Sequence, residues 1–180
     1  MSIIPDTKDW TWVLERPCPE CGMDTSSFPL EDLPELIRAN GTAWHEVLTG
    51  PGDVRTRPRP GKWSGLEYGC HVRDVFRLYD YRLTLILTQD DPLFPNWDQD
   101  ETAVTERYGE QNPATVADEL QTAADAIADR FTAVGDDQWT RKGRRSDGAS
   151  FTTETFGRYF IHDPVHHLWD ATGISAAPPA

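Results

Sequence analysis

The sequence contains few cysteines, few basic residues and no long apolar run, and each shortage excludes a class of protein. Three cysteines, an odd number in 180 residues, do not suit a disulfide framework and favour a reducing compartment. Seventeen basic residues against thirty acidic ones leave a net charge of −13, which disfavours nucleic acid or an anionic membrane as a partner. No segment approaches the roughly 20 apolar residues that a membrane-spanning helix requires.

Length and local composition predict how the chain is organised. The first ten residues lack the basic start and apolar core of a secretory signal, so we expect a cytoplasmic protein whose partner is a small molecule or another protein. The length fits a single domain. We predict an irregular, proline-rich arm at residues 1–30, a helical domain at 31–174 and a disordered tail at 175–180.

Apolar residues at helical spacing predict four long helices, and the predicted fold class is an all-α four-helix bundle. The predicted helices cover about residues 33–49, 64–90, 112–134 and 152–170. The second has the clearest start, because Ser64 and Glu67 have the spacing of a capping box. A short helix is expected in the long crossover between the second and third helices, and the basic run 141–145 is predicted to be a solvated loop.

Three of the five histidines form the candidate metal site. His162 and His166 are four residues apart, which places both imidazoles on one face of the last helix. His71 lies beside the apolar stripe of the second helix and would supply a third ligand. Three protein ligands with an open position are typical of a catalytic divalent ion, which can be zinc, nickel, iron or manganese. The acids available to hold the outer ring nitrogens are Glu67, Asp74, Asp163 and Asp170.

The remaining histidines and one proline have simpler interpretations. His167 lies about 140° around the helix from His162, so it is expected at the boundary of the site and not as a ligand. His45 has no partner at helical spacing and is expected to be structural or exposed. Pro164 removes a backbone donor inside the last helix, which predicts a kink there.

Cys18 and Cys21 have the CxxC spacing of redox pairs and of half a zinc ribbon. A ribbon requires a second pair, and Cys70 is the one further cysteine in the sequence. The prolines around the pair indicate an irregular loop, whereas redox cysteines usually begin a helix. The alternatives that remain are a structural role, a redox or metal-binding role, and contact with the mouth of the active site.

The chain resembles the DinB-like, or DinB/YfiT-like, superfamily of metal-dependent enzymes over about residues 30–173. The motifs that carry the resemblance are Gly61-Lys62-Trp63-Ser64, Cys70-His71-Val72, and His162 to His166 followed by His167-Leu168-Trp169-Asp170. Carried over to these positions, the metal triad of the family falls on His71, His162 and His166. The CxxC arm is a departure from the family pattern.

The resemblance also implies a class of activity, because the family is similar in fold to mycothiol-dependent maleylpyruvate isomerase and to bacillithiol transferases. We therefore expect a thiol-dependent S-transferase or isomerase that acts on small electrophiles, with mycothiol or a similar low-molecular-weight thiol as cofactor. A homodimer is also expected. The alternatives are a metal-dependent hydrolase, a noncatalytic metal-binding stress or ligand-binding protein, and an interaction module built on the acidic surface and the arm.

Overall fold

The computed structural model describes residues 9–176, which contain five α-helices and three short strands. The helices are α1 (Leu33–Thr49), α2 (Gly65–Thr88), α3 (Gln99–Thr105), α4 (Pro113–Thr132) and α5 (Thr153–Thr172). The strands are β1 (Leu93–Phe94), β2 (Lys142–Arg145) and β3 (Ser150–Thr152). The four long helices and the short crossover helix α3 lie close to their predicted positions.

Side-chain caps explain where three of the four long helices begin. The Ser64 hydroxyl accepts from the Glu67 amide at 3.2 Å, and the Glu67 carboxylate accepts from the Ser64 amide at 2.9 Å, which confirms the predicted capping box. Asn112 caps α4, whose first residue is Pro113. Thr152 caps α5. These polar residues fix where the helices start, while the apolar stripes determine which faces pack.

The four long helices form the predicted bundle, in which both α1 and α2 pack against α4 and α5. Large aromatic side chains fill the interior, and the fully buried ones include Trp44, Phe76, Phe131, Phe156 and Phe160. Within the described range, no helix is both long and apolar enough to cross a membrane. The bundle therefore supplies the rigid frame on which α2 and α5 present the polar groups described below.

A small sheet corrects the all-α prediction. β2 pairs in parallel with β1 and antiparallel with β3, with Gly143 opposite Phe151. The run 141–145, predicted to be a solvated loop, thus supplies β2. Gly143 is buried there, and a Cβ added to it would lie 2.7 Å from the Ile86 side chain. A strand of charged residues around one buried glycine has no apolar alternation, so the pattern did not indicate it.

The arm lies on α5 and is held by hydrogen bonds to its backbone carbonyls. Arg158 donates to the carbonyls of Thr25 and Phe28 at 2.6 and 3.1 Å. From the predicted tail, the Ser175 hydroxyl and the Ala176 amide both donate to the carbonyl of Cys21. The first two tail residues therefore lie against the arm. Residues 177–180 of the predicted tail and 1–8 of the predicted arm lie outside the described residues.

Helix α5 continues through Pro164 without a break. The carbonyl of Pro164 accepts from Asn40 at 3.1 Å and from the Trp44 indole at 3.3 Å, so α1 holds this turn by two side chains. Both donors are buried, which makes their bonds to this carbonyl important for the packing of α1 on α5. The predicted kink stays a prediction.

Candidate metal centres

Helix α5 carries two pairs of ligand-type side chains, each with a spacing of four residues. His162 pairs with His166, and Asp163 pairs with His167. A helix turns about 100° per residue, so the second pair is rotated by about 100° from the first and faces another part of the molecule. Each pair meets further ligand-type groups, which gives two clusters.

The first cluster, here called the cleft cluster, consists of His71, Asp163 and His167, with one donor atom from each within 4.8 Å of the others. His71 Nε2 lies 3.3 Å from Asp163 Oδ1, and His167 Nε2 lies 3.8 Å from the same oxygen. The rings of His71 and His167 meet edge to face, with centroids 4.8 Å apart. Two helices, α2 and α5, therefore bring two imidazoles and a carboxylate to one point.

The surroundings of His71 keep its ring rigid and neutral. The side chain is completely buried and stacks on Trp97, with ring centroids 5.3 Å apart and planes 6° apart. Burial lowers the pKa of His71 although Asp163 opposes that shift. Burial also raises the pKa of Asp163, but the interactions with His167 and His71, including the hydrogen bond with His71, outweigh it and bring that pKa well below its usual range. Neutral imidazoles and an ionised carboxylate are the states that a metal ion requires of these ligands.

Asp170 orients the third member of the cleft cluster. Its Oδ2 lies 3.1 Å from His167 Nδ1, which leaves Nε2 of that ring directed at Asp163, and Lys62 donates to Asp170 at 3.1 Å. Burial raises the pKa of Asp170, but the bonds from His167 and Lys62 outweigh it and bring the pKa to about 2. An ionised carboxylate behind a histidine ligand is the usual device for fixing its tautomer.

The other predicted acceptors have different partners. Glu67 pairs with Arg57 and caps α2, and Asp74 accepts from the Tyr108 hydroxyl at 2.6 Å and from Arg73 at 2.9 Å. Asp163, also predicted as an acceptor, instead offers its oxygen within the cleft cluster.

A cleft of about 840 Å³ opens over the cleft cluster. Asp163 and His167 line it, whereas His71 lies behind them with no exposed surface. The remaining wall contains aromatic, basic and acidic groups, among them Trp63, Tyr68, Trp97, Arg82, Arg145, Asp98 and Asp147. The volume is within the range of sites that enclose a small organic molecule.

The second cluster, here called the arm cluster, consists of Cys18, Cys21, His162 and His166, all buried and with donor atoms within 4.8 Å of one another. Cys18 Sγ lies 3.7 Å from His166 Nδ1, and Cys21 Sγ lies 3.7 Å from His162 Nε2. The arm thus supplies two thiols and α5 supplies two imidazoles. Cys18 and Cys21 are free cysteines. The buried Cys70 is also free and contacts the Tyr108 carbonyl instead.

The structure divides the predicted triad between these clusters, which corrects the predicted grouping. His162 and His166 do come together, but with the two cysteines, and His71 lies with Asp163 and His167. The sequence signal for the second pair is the i to i+4 spacing of Asp163 and His167, which equals the spacing of His162 and His166. Which pair faces α2 depends on the rotation of α5, and periodicity in a helix that is apolar almost all round does not fix that rotation.

The chain matches the family model of the DinB superfamily over residues 35–171 and therefore belongs to that superfamily, as its motifs indicated. Among solved structures it is similar to YfiT from Bacillus subtilis, described as a probable metal-dependent hydrolase with an unusual four-helix bundle topology. The two chains are 18% identical with a TM-score of 0.64, over 96% of this chain and 91% of the other, a likeness that shows the fold. None of the curated proteins matches this chain.

Proposed function

We propose that the protein is a metal-dependent enzyme whose divalent ion is bound by His71, Asp163 and His167. The observation that carries this proposal is the convergence of three donor atoms within 4.8 Å at the wall of a cleft large enough for a small molecule. Two imidazoles and one carboxylate with open positions on the cleft side are a ligand set of catalytic ions, including zinc, nickel, iron and manganese. An ion bound there would lower the pKa of a water or thiol that reaches it.

The three residues of the cleft cluster would bind the ion, and neighbouring side chains hold the two imidazole rings in place. His71 is held by stacking on Trp97, and His167 is held through Nδ1 by Asp170. Neither ring therefore has to reorient when a metal ion binds. Asp163 adds the negative charge that favours a cation between the two rings. The aromatic wall of Trp63 and Tyr68 excludes water from one side of the cleft.

The reaction we favour is transfer of a low-molecular-weight thiol, mycothiol or a similar compound, to a small electrophile, or an isomerisation that passes through such a step. A cleft of about 840 Å³ is larger than a small electrophile requires and leaves room for a thiol cofactor beside it. The similarity to YfiT favours a second candidate, hydrolysis by an activated water, which needs no thiol.

The position of Arg82 indicates that the substrate or cofactor carries an acidic group. This guanidinium lies in the cleft wall about 16 Å further along α2 than His71. It is buried, donates to the Pro95 carbonyl at 2.7 Å, and has no carboxylate within ion-pair distance among the described residues. Its Nε has no hydrogen-bond partner within residues 9–176. Two aromatic rings, Tyr79 and Phe94, lie 5.4 and 5.0 Å from the guanidinium, but burial of a charge without an ion-pair partner is costly, so a carboxylate or phosphate bound at this end of the cleft would be favoured.

Metal analysis and turnover assays of untagged protein test this proposal. We expect His167→Ala and Asp163→Ala each to lose the cleft ion and to lower turnover of electrophiles by at least about 100-fold. His45→Ala is the matched control, because His45 lies on the surface beside Asp118 and outside both clusters. Assays with and without a panel of thiols separate the two candidate reactions, and Arg82→Gln should raise KM for acidic substrates and spare neutral ones.

Full metal content and activity in His167→Ala would overturn the proposal. A protein that keeps its cleft ion, but neither forms thiol adducts from electrophiles nor hydrolyses esters and amides, would favour the noncatalytic alternative. The predicted homodimer stays a prediction.

A further inference from the structure

We propose that Cys18, Cys21, His162 and His166 form a second metal site, a closed four-ligand zinc site that joins the arm to α5. The site shares no ligand with the cleft cluster, and its role is to hold structure. Four protein ligands of the Cys2His2 type leave no position for substrate, which is the arrangement of structural zinc.

The distances within the arm cluster are those of a tetrahedral zinc site. Bond lengths of about 2.3 Å to sulfur and about 2.0–2.1 Å to nitrogen, at the tetrahedral angle, place a thiolate and an imidazole nitrogen about 3.5–3.6 Å apart around one ion. Both sulfur–nitrogen pairs of the cluster are 3.7 Å apart. Two such pairs side by side, with all four donors within 4.8 Å, leave a position for one ion between them.

The backbone of the arm presents both thiols on the same side of a tight turn. The Cys18 amide donates to the Met23 carbonyl at 2.8 Å, and the Gly22 amide donates to the Cys18 carbonyl at 2.9 Å. Gly22 has φ of 78°, a left-handed conformation that glycine adopts without strain. The turn closes directly after Cys21, so Cys18 and Cys21 are brought to the same pair of imidazoles without a disulfide.

Burial and charge favour a divalent ion bound by all four groups of the arm cluster. The cysteines are at most 1% exposed, and His162 and His166 are 4% and 6% exposed. Two thiolates and one divalent cation form a neutral unit, which removes the cost of burying separate charges.

The second nitrogen of His166 has the surroundings expected of a ligand. Its Nδ1 faces Cys18, while Nε2 lies 3.6 Å from a Glu20 oxygen and 3.7 Å from an Asp170 oxygen. Carboxylates near the outer nitrogen are typical of metal-bound histidine. Trp10 covers the cluster, with its ring 5.3 Å from that of His162 and 5.0 Å from that of His166.

The ion would fix one wall of the cleft. Trp10 and Glu20 belong to the arm and line the cleft, and both lie against the arm cluster. Loss of the ion would therefore loosen the arm and open this wall while the four-helix bundle stays folded, because most residues of the hydrophobic core lie outside the arm.

Metal content and cobalt spectroscopy on the full chain test the proposal. Untagged wild-type protein should contain about two ions per chain, and Cys18→Ser/Cys21→Ser should contain about one fewer. Cobalt-substituted wild type should show thiolate charge-transfer bands in the near ultraviolet together with the strong visible bands of tetrahedral cobalt. Both should vanish in the double variant and persist in Cys70→Ser, the matched control with a buried thiol outside the cluster.

A measurement on the wild type covers the case in which the double variant does not fold. Alkylation followed by peptide mass spectrometry should find Cys18 and Cys21 protected when zinc is present and modified after chelation. Equal labelling with and without zinc would overturn the proposal. Protein that contains a Cys18–Cys21 disulfide and no zinc as it is purified, before any chelation, would overturn it too. His71→Ala separates the two sites, since the arm ion should remain with its thiolate bands when the cleft ion and turnover are lost.

Discussion

His166 and His167 are adjacent in α5, yet their imidazoles belong to different clusters. His166 faces Cys18 through Nδ1, whereas His167 faces Asp163 through Nε2. A single carboxylate lies beside both rings, because Asp170 Oδ2 is 3.1 Å from His167 Nδ1 and 3.7 Å from His166 Nε2. Asp170 therefore connects the proposed catalytic site with the proposed structural site.

Replacement of Asp170 tests this connection. We expect Asp170→Asn to weaken metal binding at the cleft cluster by about 10–100-fold, because His167 loses the acceptor that fixes its ring. The effect on the arm cluster should be smaller, since Glu20 also lies near the outer nitrogen of His166. Competition with a chromophoric chelator measures both affinities. Asp118→Asn, which removes the carboxylate beside the half-buried His45, is the control, and an equal effect of the two substitutions would contradict the assignment.

The helices could be predicted from the sequence because their signals are local. The cap at Ser64, the cap at Asn112 and the apolar stripes all act within a few residues, and the structure places helix starts at these points. Family membership was likewise indicated by short motifs and is confirmed by the match over residues 35–171. Strand β2 was missed because its pairing partners are distant in sequence and its residues are mostly charged.

The grouping of the ligands could not be predicted because it depends on packing between elements. His162, Asp163, His166 and His167 give two equivalent pairs at helical spacing, and the choice between them is made by where α2 and the arm lie around α5. The CxxC pair was recognised as a candidate for metal binding, but its partners are more than 140 residues away. Such a contact leaves no mark on the local pattern of the chain.

Arg158 should control how firmly the arm is held. Its guanidinium donates to the carbonyls of Thr25 and Phe28 and lies 5.1 Å from the Phe28 ring. Arg158→Met keeps much of the side-chain volume but leaves both carbonyls without this donor, a loss of about 1–3 kcal/mol in local stability. Hydrogen exchange in the arm should accelerate by at least about fivefold, while exchange in α4 stays unchanged.

The matched control for the arm is Arg77→Met. Arg77 also forms ion pairs from a helix, but its side chain is 51% exposed and its partners Asp74 and Glu119 lie away from the arm. Exchange in residues 18–28 should therefore match the wild type. Equal acceleration in both variants would mean that Arg158 has no special part in holding the arm.

Glu67 should make stability depend on acid pH. Burial raises the pKa of this carboxyl, but its pairing with Arg57 and its bond from the Ser64 amide outweigh burial and lower the pKa below the usual value. The stabilisation is complete above the unfolded pKa of about 4.3 and is lost as pH falls through the folded pKa. At pH 7, Glu67→Gln should lower the free energy of unfolding by about 1–3 kcal/mol, and this difference should shrink below about pH 4.

Urea denaturation at several pH values, with a chelator present throughout, measures this difference. Glu35→Gln is the control because Glu35 holds the corresponding position in the first turn of α1 but is exposed. Its effect should stay within about 0.5 kcal/mol. A Glu67→Gln deficit that does not change between pH 7 and pH 3 would show that the carboxylate charge contributes nothing.

Gly157 should resist replacement although it lies inside a helix. A Cβ added there would lie 2.7 Å from Leu33 Cδ2 and 3.0 Å from Phe131 Cε1, so α1 and α4 both approach α5 at this point. Alanine would gain up to about 1 kcal/mol of helix propensity but would force buried side chains to move, at a cost of about 1–3 kcal/mol. We expect a net loss of stability in urea denaturation.

Gly65→Ala provides the comparison, because an added Cβ at this first residue of α2 meets Val54 at an ordinary 3.5 Å. That variant should be as stable as the wild type or slightly more stable. If Gly157→Ala were equally stable, the close approach of α1 to α5 would have to relax without cost. Such relaxation would also move the α5 turn that carries His162 and Asp163, five and six residues later. A changed metal affinity of the Gly157→Ala protein would reveal that movement.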